Sequence, residues 1–574
     1  MLGCAATCRR GASRRARALL LMSCPLVFCG GLALLALPAA ESVRPERHGI
    51  VVAVSPLGAD TGRDVLKKGG NAVDSAVATA FAMAVTYPAA GNIGGGGFML
   101  IYPAGGKGEP VLIDYREKAP LAASRTMYTK KDSWYSARAV GVPGTVRGLA
   151  LAHARFGKLP WKELVLPAVK LAEEGFVLDE SLAGSLNWIV GSSTEFPELR
   201  RVLGKNGEAA WQTGDRLVQK DLARTLRRIA EQGPDGFYKG SVAEMVAAEM
   251  KRGGGLITTA DLAAYEAKAR KPIHGTYRGY DVYGPPPPSS GGTCLVEMLN
   301  VLENFDLRKQ GRFSAETLHL MIETMRRAYC DRARYLGDAD FVKVPAFLTS
   351  KDYARKLAAS IDLHKATRSE DLAKDIPLKG EGDSTTHFSV IDTDGMAVAN
   401  TYTLERSYGS RIVVKGAGFL LNNEMMDFNW FPGETTRGGG IGTAPNQVAP
   451  GKRMLSSQTP TIVTKNGKVV LITGSPGSRT IINTVLCMVV NVIDFDMDIQ
   501  SAVDAPRLHH AWFPDTAAFE GTCDYPNVVR RLEAMGHSVH GTRQGDAHSI
   551  GFDPKTGKYI GAADHRINGK VSEY

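Results

Sequence analysis

An eight-residue segment about two-thirds of the way along the chain constrains the protein more than any other. From Asp383 to Val390 it reads Asp-Ser-Thr-Thr-His-Phe-Ser-Val, a polar turn that leads into a strand. If the chain is cut before Thr385, that residue gains a free α-amine beside its own hydroxyl. A hydroxyl nucleophile needs a base within hydrogen-bond reach, and an N-terminal threonine carries both groups. The segment therefore predicts either a self-processing nucleophile or an ordinary strand after a turn.

The residues that follow predict a β-hairpin. Thr393-Asp394-Gly395 is a turn signal, and a second strand pattern comes directly after it. A three-residue loop with Gly395 in the left-handed region would place Thr403 opposite Thr385 on the same face. In that register the Thr403 hydroxyl can hydrogen-bond the nucleophile. A two-residue loop would place Leu404 there instead.

Three later segments present polar groups. Glu424 and Asp427 are three residues apart and suit a cationic amine, although such a pair is also common in a solvated turn. Ser456 and Ser457 offer hydroxyls, and the run from Gly474 to Ser478 offers bare backbone N–H groups for an oxyanion hole. Between these segments lies a glycine-rich stretch, Thr436 to Pro450, that is typical of a flap.

The sequence gives no indication of a metal or cofactor. It contains no H-E-x-x-H motif, and the neighbouring His509-His510 pair lacks metal-ligand spacing. Outside the first forty residues the cysteines are far apart with no C-x-x-C pair, and we expect them to be mostly buried small side chains. These four cysteines are Cys294, Cys330, Cys487 and Cys523.

Residues 1–40 have the pattern of a secretory leader. Five arginines and no acidic residue precede or enter an apolar run from Ala18 to Leu37, and the small residues Pro38-Ala39-Ala40 follow. The pattern predicts an exported protein, periplasmic or secreted, or a membrane-anchored one if the leader stays uncleaved. Removing the leader lowers the formal charge of +10 by its five arginines to +5. That modest charge, with no basic stripe, disfavours a nucleic-acid partner.

The remaining chain changes character along its length. Residues 50–112 predict a strand, a helix broken at Gly69-Gly70, and a second strand after the four glycines Gly94 to Gly97, where backbones should approach closely. Residues 160–380 predict mainly helix, with Pro285 to Pro288 as a rigid interruption. From Glu381 onward the pattern is β-rich.

Taken together, these motifs resemble the γ-glutamyltransferases (glutathione hydrolases), which are N-terminal-nucleophile hydrolases. The likeness covers nearly all of residues 48–574, and several ordered motifs together are highly specific. The motifs are Gly70 to Ala76, Gly94 to Met99, Asp114-Tyr115-Arg116-Glu117, Thr385-Thr386-His387, Asn422-Asn423-Glu424-Met425, Leu455-Ser456-Ser457 and Gly474-Ser475-Pro476-Gly477.

The resemblance implies a proenzyme that cuts itself between Ser384 and Thr385. It implies a large subunit, residues 41–384, and a small catalytic subunit, residues 385–574, that remain together as a heterodimer. The implied fold is α/β (α+β), a four-layer αββα sandwich built from both fragments.

The resemblance also assigns roles to residues. Thr385 would attack the γ-glutamyl carbonyl, and Thr403 would hydrogen-bond it. The other roles are anchoring of the glutamyl α-carboxylate (Arg116, Ser456 and Ser457), anchoring of its α-amine (Glu405, Glu424 and Asp427) and oxyanion stabilisation by backbone N–H groups (Gly477 and Ser478).

Three positions depart from the common family pattern. Residue 405 is Asn in many relatives and Glu in some, and here it is Glu405. Ser478 replaces a common glycine, so its backbone must adopt a conformation that glycine adopts readily. Gly438 stands where lid-bearing bacterial relatives carry a tyrosine, which puts gating of the site in doubt.

The predicted activity is hydrolysis and transfer of γ-glutamyl groups from glutathione and related compounds. Water, an amino acid or a dipeptide would accept the acyl group, and no cofactor is implied. One alternative is a glutaryl or cephalosporin-type acylase of the same superfamily, which has no need of the α-amine site formed by Glu424 and Asp427. A second alternative is an unprocessed, non-catalytic homologue.

Overall fold

The computed structural model describes residues 49–205, 209–373, 376, 386–567 and 569–574. The predicted leader, residues 1–40, lies outside the described residues. So do Ser384 and Thr385, and with them the predicted cleavage site.

The described residues form eighteen α-helices, fifteen of which lie before residue 373. They are α1 Pro56–Lys67, α2 Ala72–Thr86, α3 Thr145–Phe156, α4 Trp161–Glu174, α5 Glu180–Gly191, α6 Pro197–Leu203, α7 Lys220–Gln232, α8 Asp235–Tyr238, α9 Gly240–Gly253, α10 Thr259–Ala263, α11 Gly291–Leu302, α12 Leu307–Gln310, α13 Ala315–Tyr335, α14 Lys351–Ala359, α15 Ser369–Leu372, α16 Thr480–Ile493, α17 Ile499–Asp504 and α18 Pro526–Ala534. Short 3-10 helices lie at Ala104–Gly106, Ala137–Ala139, Ala346–Thr349, Glu424–Asp427, Ala444–Asn446 and Glu520–Thr522.

Strands are spread over the whole described chain. They are β1 Ile50–Ala53, β2 Gly96–Tyr102, β3 Val111–Asp114, β4 Phe176–Val177, β5 Arg216–Leu217, β6 Lys268–Arg270, β7 Ile273–Tyr277, β8 Tyr280–Gly284, β9 Thr386–Ile391, β10 Ala397–Thr403, β11 Thr461–Lys465, β12 Lys468–Thr473, β13 Leu508–His509, β14 Ala517–Phe519, β15 Val539–His540, β16 Ser549–Asp553, β17 Lys558–Ala562 and β18 Lys570–Glu573.

Two large sheets form the centre of the fold. A seven-stranded sheet has the order β18-β1-β9-β10-β2-β3-β6, and a six-stranded sheet has the order β17-β16-β12-β11-β8-β7. Each sheet takes strands from both sides of the predicted cleavage point. The two predicted fragments therefore share both sheets.

The alternation of side chains between the two faces of each strand explains how the helices and sheets are layered. In β1, Ile50 and Val52 pack in the core between the two sheets, whereas Val51 and Ala53 pack with residues of α1 and α2 on the outer face. In the other sheet, Ile472 faces the inner core, and Leu471 packs with residues of α11, α13 and α16. Because successive strand residues point to opposite faces, each sheet is covered by helices on one side and by its partner sheet on the other. The predicted four-layer αββα sandwich is confirmed.

The predicted hairpin has the three-residue register. β9 and β10 are antiparallel, with Ile391 opposite Ala397 and Thr386 opposite Tyr402. Gly395 closes the turn with φ 81°, a left-handed value that glycine adopts without strain. The predicted pairing of Thr403 with Thr385 involves a residue outside the described ranges.

The four glycines before β2 are places of close backbone approach, as predicted. A Cβ at Gly95 would lie 1.9 Å from the carbonyl oxygen of Thr403, and one at Gly94 would lie 2.1 Å from that of Leu420. A side chain at either position would push the chain away from the end of β10. These glycines thus let the start of β2 pack against the segments that carry the site.

The structure contains strands and a helix that the sequence patterns did not predict. The chain between 160 and 380 is mainly helical, but it also contains β6, β7 and β8, which join the central sheets. The β-rich C-terminal part contains the fourteen-residue buried helix α16.

Cys294, Cys330 and Cys487 are buried free thiols, as expected, whereas Cys523 is exposed. Among the described residues, no helix combines the length and the apolar character needed to cross a membrane.

Candidate active site

A cavity of about 250 Å³ lies beside the end of β10. Six of the predicted site residues line it: Arg116, Glu405, Asp427, Ser456, Ser457 and Ser478. Glu424 is fully buried behind Arg116, and Gly477 lines a neighbouring cavity on the other side of the same turn. The structure thus brings together residues that are more than 300 positions apart in sequence.

Arg116 lies just past β3 and is almost completely buried. Its backbone is fixed at both ends, because its N–H donates to Asp114 Oδ1 at 3.0 Å and its carbonyl accepts from the Tyr265 hydroxyl at 2.8 Å. Its guanidinium donates to the carboxylates of Glu424 and Asp427. The predicted carboxylate anchor and two predicted amine anchors are therefore in direct contact with each other.

The Asn-Asn-Glu-Met motif explains how Glu424 is placed. Asn422 Oδ1 accepts from the N–H groups of Gly141 at 2.9 Å and Glu424 at 3.0 Å. The Asn422 side-chain amide donates to the carbonyls of Gly94 and Gly141, both at 2.8 Å. One buried asparagine therefore connects the short helix Glu424–Asp427 to the glycines before β2 and to the loop that contains Gly141.

Acidic side chains surround Arg116. Glu117 lies 3.7 Å from Arg116, and neither of its buried oxygens has a hydrogen-bond partner in the part of the chain that is described. Burial raises the pKa of Glu117 to about 7 and also raises the pKa of Glu424. Burial would lower the pKa of Arg116, but the carboxylates of Glu424, Asp427 and Glu117 outweigh it and raise the pKa. A cationic group of a ligand beside Arg116 would therefore lie close to several carboxylate oxygens.

The two serines are held by the segment that follows the proline run. The Ser456 N–H donates to the carbonyl of Pro288 at 2.8 Å, and the Ser290 N–H donates back to the Ser456 carbonyl at 2.8 Å. Ser457 lies next along the chain, with its side-chain oxygen accepting from Arg332 at 3.0 Å. Backbone hydrogen bonds to Pro288 and Ser290, at the end of the proline run, thus fix the position of the serine segment.

The predicted oxyanion turn contains two consecutive residues with positive φ. Gly477 has φ 119° and Ser478 has φ 51°. The Ser478 value is in the left-handed region, which a non-glycine residue adopts at some cost. Within the described residues, neither N–H group donates to a backbone carbonyl. The replacement of glycine by Ser478 therefore does not prevent the turn.

Thr403 ends β10, and its hydroxyl organises the next turn. Its side-chain oxygen accepts from the Glu405 N–H at 2.8 Å, and its carbonyl accepts from the Asn92 side chain at 2.8 Å. Glu405 has φ 77°, an unusual backbone conformation for a non-glycine residue. Thr403 thus helps to hold Glu405 at the cavity wall.

We expect Thr403→Val to fold but to lose activity, processing or both. The change removes the acceptor for the Glu405 N–H and should cost roughly 1–3 kcal/mol at the site. The measurements are the fraction of cleaved chain on a gel and kcat/KM for a γ-glutamyl anilide. A matched control is Thr79→Val, since Thr79 is fully buried and its hydroxyl has no hydrogen-bond partner among the described residues. Equal behaviour of the two variants would show that Thr403 is only a packing residue.

The cavity also contains residues that the sequence analysis missed. Arg332 and Arg479 add positive charge, and Trp134, Trp430 and Phe431 form an aromatic side. Trp430 stacks on Tyr128 with ring centroids 3.8 Å apart. None of these residues belongs to a recognisable local motif, so only the three-dimensional arrangement identifies them.

The predicted flap forms a tight turn over the cavity. The Thr436 N–H donates to the Gly440 carbonyl at 2.8 Å, and Gly439 and Gly440 both line the cavity. The Arg479 guanidinium donates to the Gly439 carbonyl at 2.9 Å. Gly438 lies exposed at this turn and brings no side chain to the cavity.

Two groups of described side chains are close enough to hold a cation: Glu405 with Glu424 and Asp427, and His319 with Glu323 and His537. In each group an arginine already binds a carboxylate. Arg116 binds Glu424 and Asp427, and Arg326 and Arg327 bind Glu323. Glu424, Asp427 and Glu323 are therefore each already paired with an arginine.

Comparison with known proteins places this arrangement in a family. The profile described as gamma-glutamyltranspeptidase matches residues 58–574. The glutathione hydrolase proenzyme of Escherichia coli (strain K12) is 47% identical over 531 residues, which cover 91% of this chain and 90% of that protein. The chain belongs to the γ-glutamyltranspeptidase family.

Solved structures agree with this membership. The Helicobacter pylori gamma-glutamyltranspeptidase is 44% identical with a TM-score of 0.52, covering 54% of this chain and 91% of that chain. The cephalosporin acylase from Bacillus halodurans is 28% identical with a TM-score of 0.81, covering 92% of this chain and 96% of that chain. The γ-glutamyltranspeptidase fold is thus shared with an acylase, and the site must separate the two activities.

Proposed function

We propose that the protein is a γ-glutamyl hydrolase and transpeptidase that acts on glutathione and related γ-glutamyl compounds. The observation that carries this proposal is the cavity itself, where Arg116 and two serines lie beside the acidic side chains of Glu405 and Asp427. That arrangement is complementary to a group with a carboxylate and an ammonium on the same carbon. The name of the Escherichia coli relative, a glutathione hydrolase proenzyme, supports the same substrate.

The glutamyl head is held by its two charges. Its α-carboxylate binds Arg116 and the hydroxyls of Ser456 and Ser457. Its α-ammonium binds the carboxylates of Glu424 and Asp427, with Glu405 beside them. In the structure Arg116 pairs with these two carboxylates, so a substrate that binds here exchanges one set of ion pairs for another.

Thr385 performs the chemistry in this proposal. Its α-amine takes the hydroxyl proton while the side-chain oxygen attacks the γ-glutamyl carbonyl, and backbone N–H groups of Gly477 and Ser478 stabilise the oxyanion. The C–N bond then breaks, the leaving amine takes the proton, and a threonyl ester remains. Water opens the ester to release glutamate, or the amine of an amino acid or dipeptide attacks it to form a new γ-glutamyl amide.

The same hydroxyl matures the protein. Attack of Thr385 on the Ser384 carbonyl gives an ester that water opens, and the new α-amine becomes the catalytic base. The products are the fragments 41–384 and 385–574, which stay together as a heterodimer. The sharing of both large sheets by strands from the two fragments supports this association. The leader-like residues 1–40 support export to the periplasm or beyond.

The acylase alternative draws on the structural likeness to the Bacillus halodurans enzyme. A glutaryl substrate keeps the carboxylate of the glutamyl head and lacks only its ammonium. It would leave Asp427 and Glu424 without a cationic ligand in a site that is rich in carboxylates. The acidic side of the cavity therefore favours the γ-glutamyl substrate.

Incubation of the purified protein with glutathione tests the proposal. We expect equal amounts of glutamate and cysteinylglycine, and a γ-glutamyl dipeptide when an amino acid is added in excess. A gel run in parallel reports the two fragments. An intact 61.6 kDa chain with no product would favour the non-catalytic homologue.

A further inference from the structure

Arg332 lies near the C-terminal end of α13, and its side chain reaches the cavity. Its Nε donates to the Ser290 hydroxyl oxygen at 2.9 Å, and its terminal nitrogen donates to the Ser457 hydroxyl oxygen at 3.0 Å. It lines the same cavity as Arg116, Ser456 and Ser457. The guanidinium is therefore in contact with one of the residues assigned to the substrate carboxylate.

The charge of Arg332 is not balanced locally. Across the described ranges, no carboxylate lies within 4 Å of its guanidinium, and both hydrogen-bond acceptors are neutral hydroxyls. Other arginines of α13 differ in this respect. Arg326 and Arg327 both pair with Glu323, and Arg334 lies 3.5 Å from Asp331. A partly buried arginine that faces a cavity without a carboxylate partner is an anion-binding group.

Arg116 is in the opposite situation. Its guanidinium already contacts Glu424 and Asp427 and has Glu117 at 3.7 Å. A ligand carboxylate that approached Arg116 alone would meet a guanidinium surrounded by negative charge. Arg332 and Arg479 both line the cavity and add positive potential that attracts a carboxylate. Of these two, Arg332 is the one that contacts Ser457.

Arg332 also orients the Ser457 hydroxyl. Because the Ser457 oxygen accepts from Arg332, its own proton is turned away from the guanidinium. The Ser290 hydroxyl is used in the same way, since its proton goes to the Ser456 carbonyl at 2.6 Å. Ser457 is nearly buried and lines the cavity, so its proton is available to a ligand oxygen there.

We infer that Arg332 is a second arginine of the donor site, which positions Ser457 and selects for substrates that carry the α-carboxylate. The inference rests on the proposed function, because the carboxylate concerned is that of the γ-glutamyl head. Arg332 acts through its charge and through Ser457, and Arg116 remains the direct partner.

The kcat/KM values for three anilide substrates distinguish this role from a merely structural one. The γ-glutamyl anilide carries both charges, the glutaryl anilide carries only the carboxylate, and the 4-aminobutyryl anilide carries only the ammonium. In Arg332→Gln we expect kcat/KM to fall about tenfold or more for the two carboxylate-bearing substrates, mainly through KM, as for loss of one member of a charge pair. The value for the 4-aminobutyryl anilide should change by less than about threefold. Arg332→Lys should recover part of the loss, because it restores the charge without the fork of donors.

The controls use the same helix and the same serine. Arg334→Gln removes a neighbouring arginine outside the cavity and should leave all three values near those of the wild type. Ser457→Ala tests the coupling: if Arg332 acts through Ser457, the losses in the double variant should be smaller than the product of the single losses. Cleaved protein is quantified on a gel for every variant, so that rates refer to mature enzyme.

The outcomes are distinct. An equal fall for all three anilides in Arg332→Gln, with no recovery in Arg332→Lys, would overturn the inference and leave Arg332 a structural residue. Fully multiplicative losses in the double variant would overturn the part that acts through Ser457. Wild-type protein that prefers the glutaryl to the γ-glutamyl anilide would instead refute the proposed function, whatever Arg332 does.

Discussion

Replacement of Thr385 by alanine should leave the chain uncut and inactive. The hydroxyl of Thr385 is the proposed attacking group in both maturation and turnover, and alanine has no hydroxyl. A gel should show a single species in place of two fragments, and no product should form from a γ-glutamyl anilide. In the wild type, N-terminal sequencing of the smaller fragment should begin Thr-Thr-His-Phe.

Thr385→Ser is the matched control, since it keeps a hydroxyl beside the α-amine. It should be cut at the same bond and retain measurable turnover. Cleavage that persists in Thr385→Ala, or a small fragment that starts elsewhere, would contradict the assignment of the nucleophile.

Replacement of Asp427 by alanine should produce the second largest loss. Asp427 contacts Arg116 and lines the cavity with about a quarter of its side chain exposed. Removing one partner of a largely desolvated charge pair costs about 2–5 kcal/mol, and about 1.4 kcal/mol corresponds to tenfold. We therefore expect kcat/KM for the γ-glutamyl anilide to fall at least tens-fold. The glutaryl anilide has no ammonium and should lose much less.

Asp427→Asn gives the control for size and hydrogen bonding. It keeps the shape of the side chain and removes the charge, so its loss should approach that of the alanine variant if the charge is what matters. If both anilides lose equally in Asp427→Ala, Asp427 serves only to hold Arg116. The amine would then bind elsewhere.

Local patterns predicted the parts of the fold that local physics determines. The register of β9 and β10 follows from one glycine with a positive φ, because a three-residue loop fixes the pairing of the flanking strands. The role of the glycines before β2 follows from the absence of a side chain, and the structure shows carbonyl oxygens within 2.4 Å of where each Cβ would lie.

Other elements could not be predicted because their signals are weak or distant. β6, β7 and β8 are short and half-exposed. β6 becomes a strand by pairing with β3, β8 by pairing with β11, and β7 by pairing with β8. α16 is buried and rich in the β-branched residues Val, Ile and Thr, so its composition resembles that of a buried strand. In both cases tertiary contacts decide the structure.

The site residues also fall into two groups, those that sequence motifs predict and those that only the structure identifies. The motif residues Arg116, Glu424 and Ser457 were predicted through their resemblance to a family, and the structure brings them to one place. Their mutual contacts were not predicted, because Arg116 is more than 300 positions from Glu424. Arg332 was missed altogether, since a single arginine in a long helix carries no pattern until its neighbours are known.

The most direct test of the whole account compares kcat/KM of the mature wild-type protein for three anilides. The account predicts that the γ-glutamyl compound, with both charges, exceeds the glutaryl and the 4-aminobutyryl compounds by at least tens-fold each. Each poorer substrate lacks one charge that the cavity is built to bind. A glutaryl anilide that matches or exceeds the γ-glutamyl anilide would contradict the account and identify the protein as an acylase.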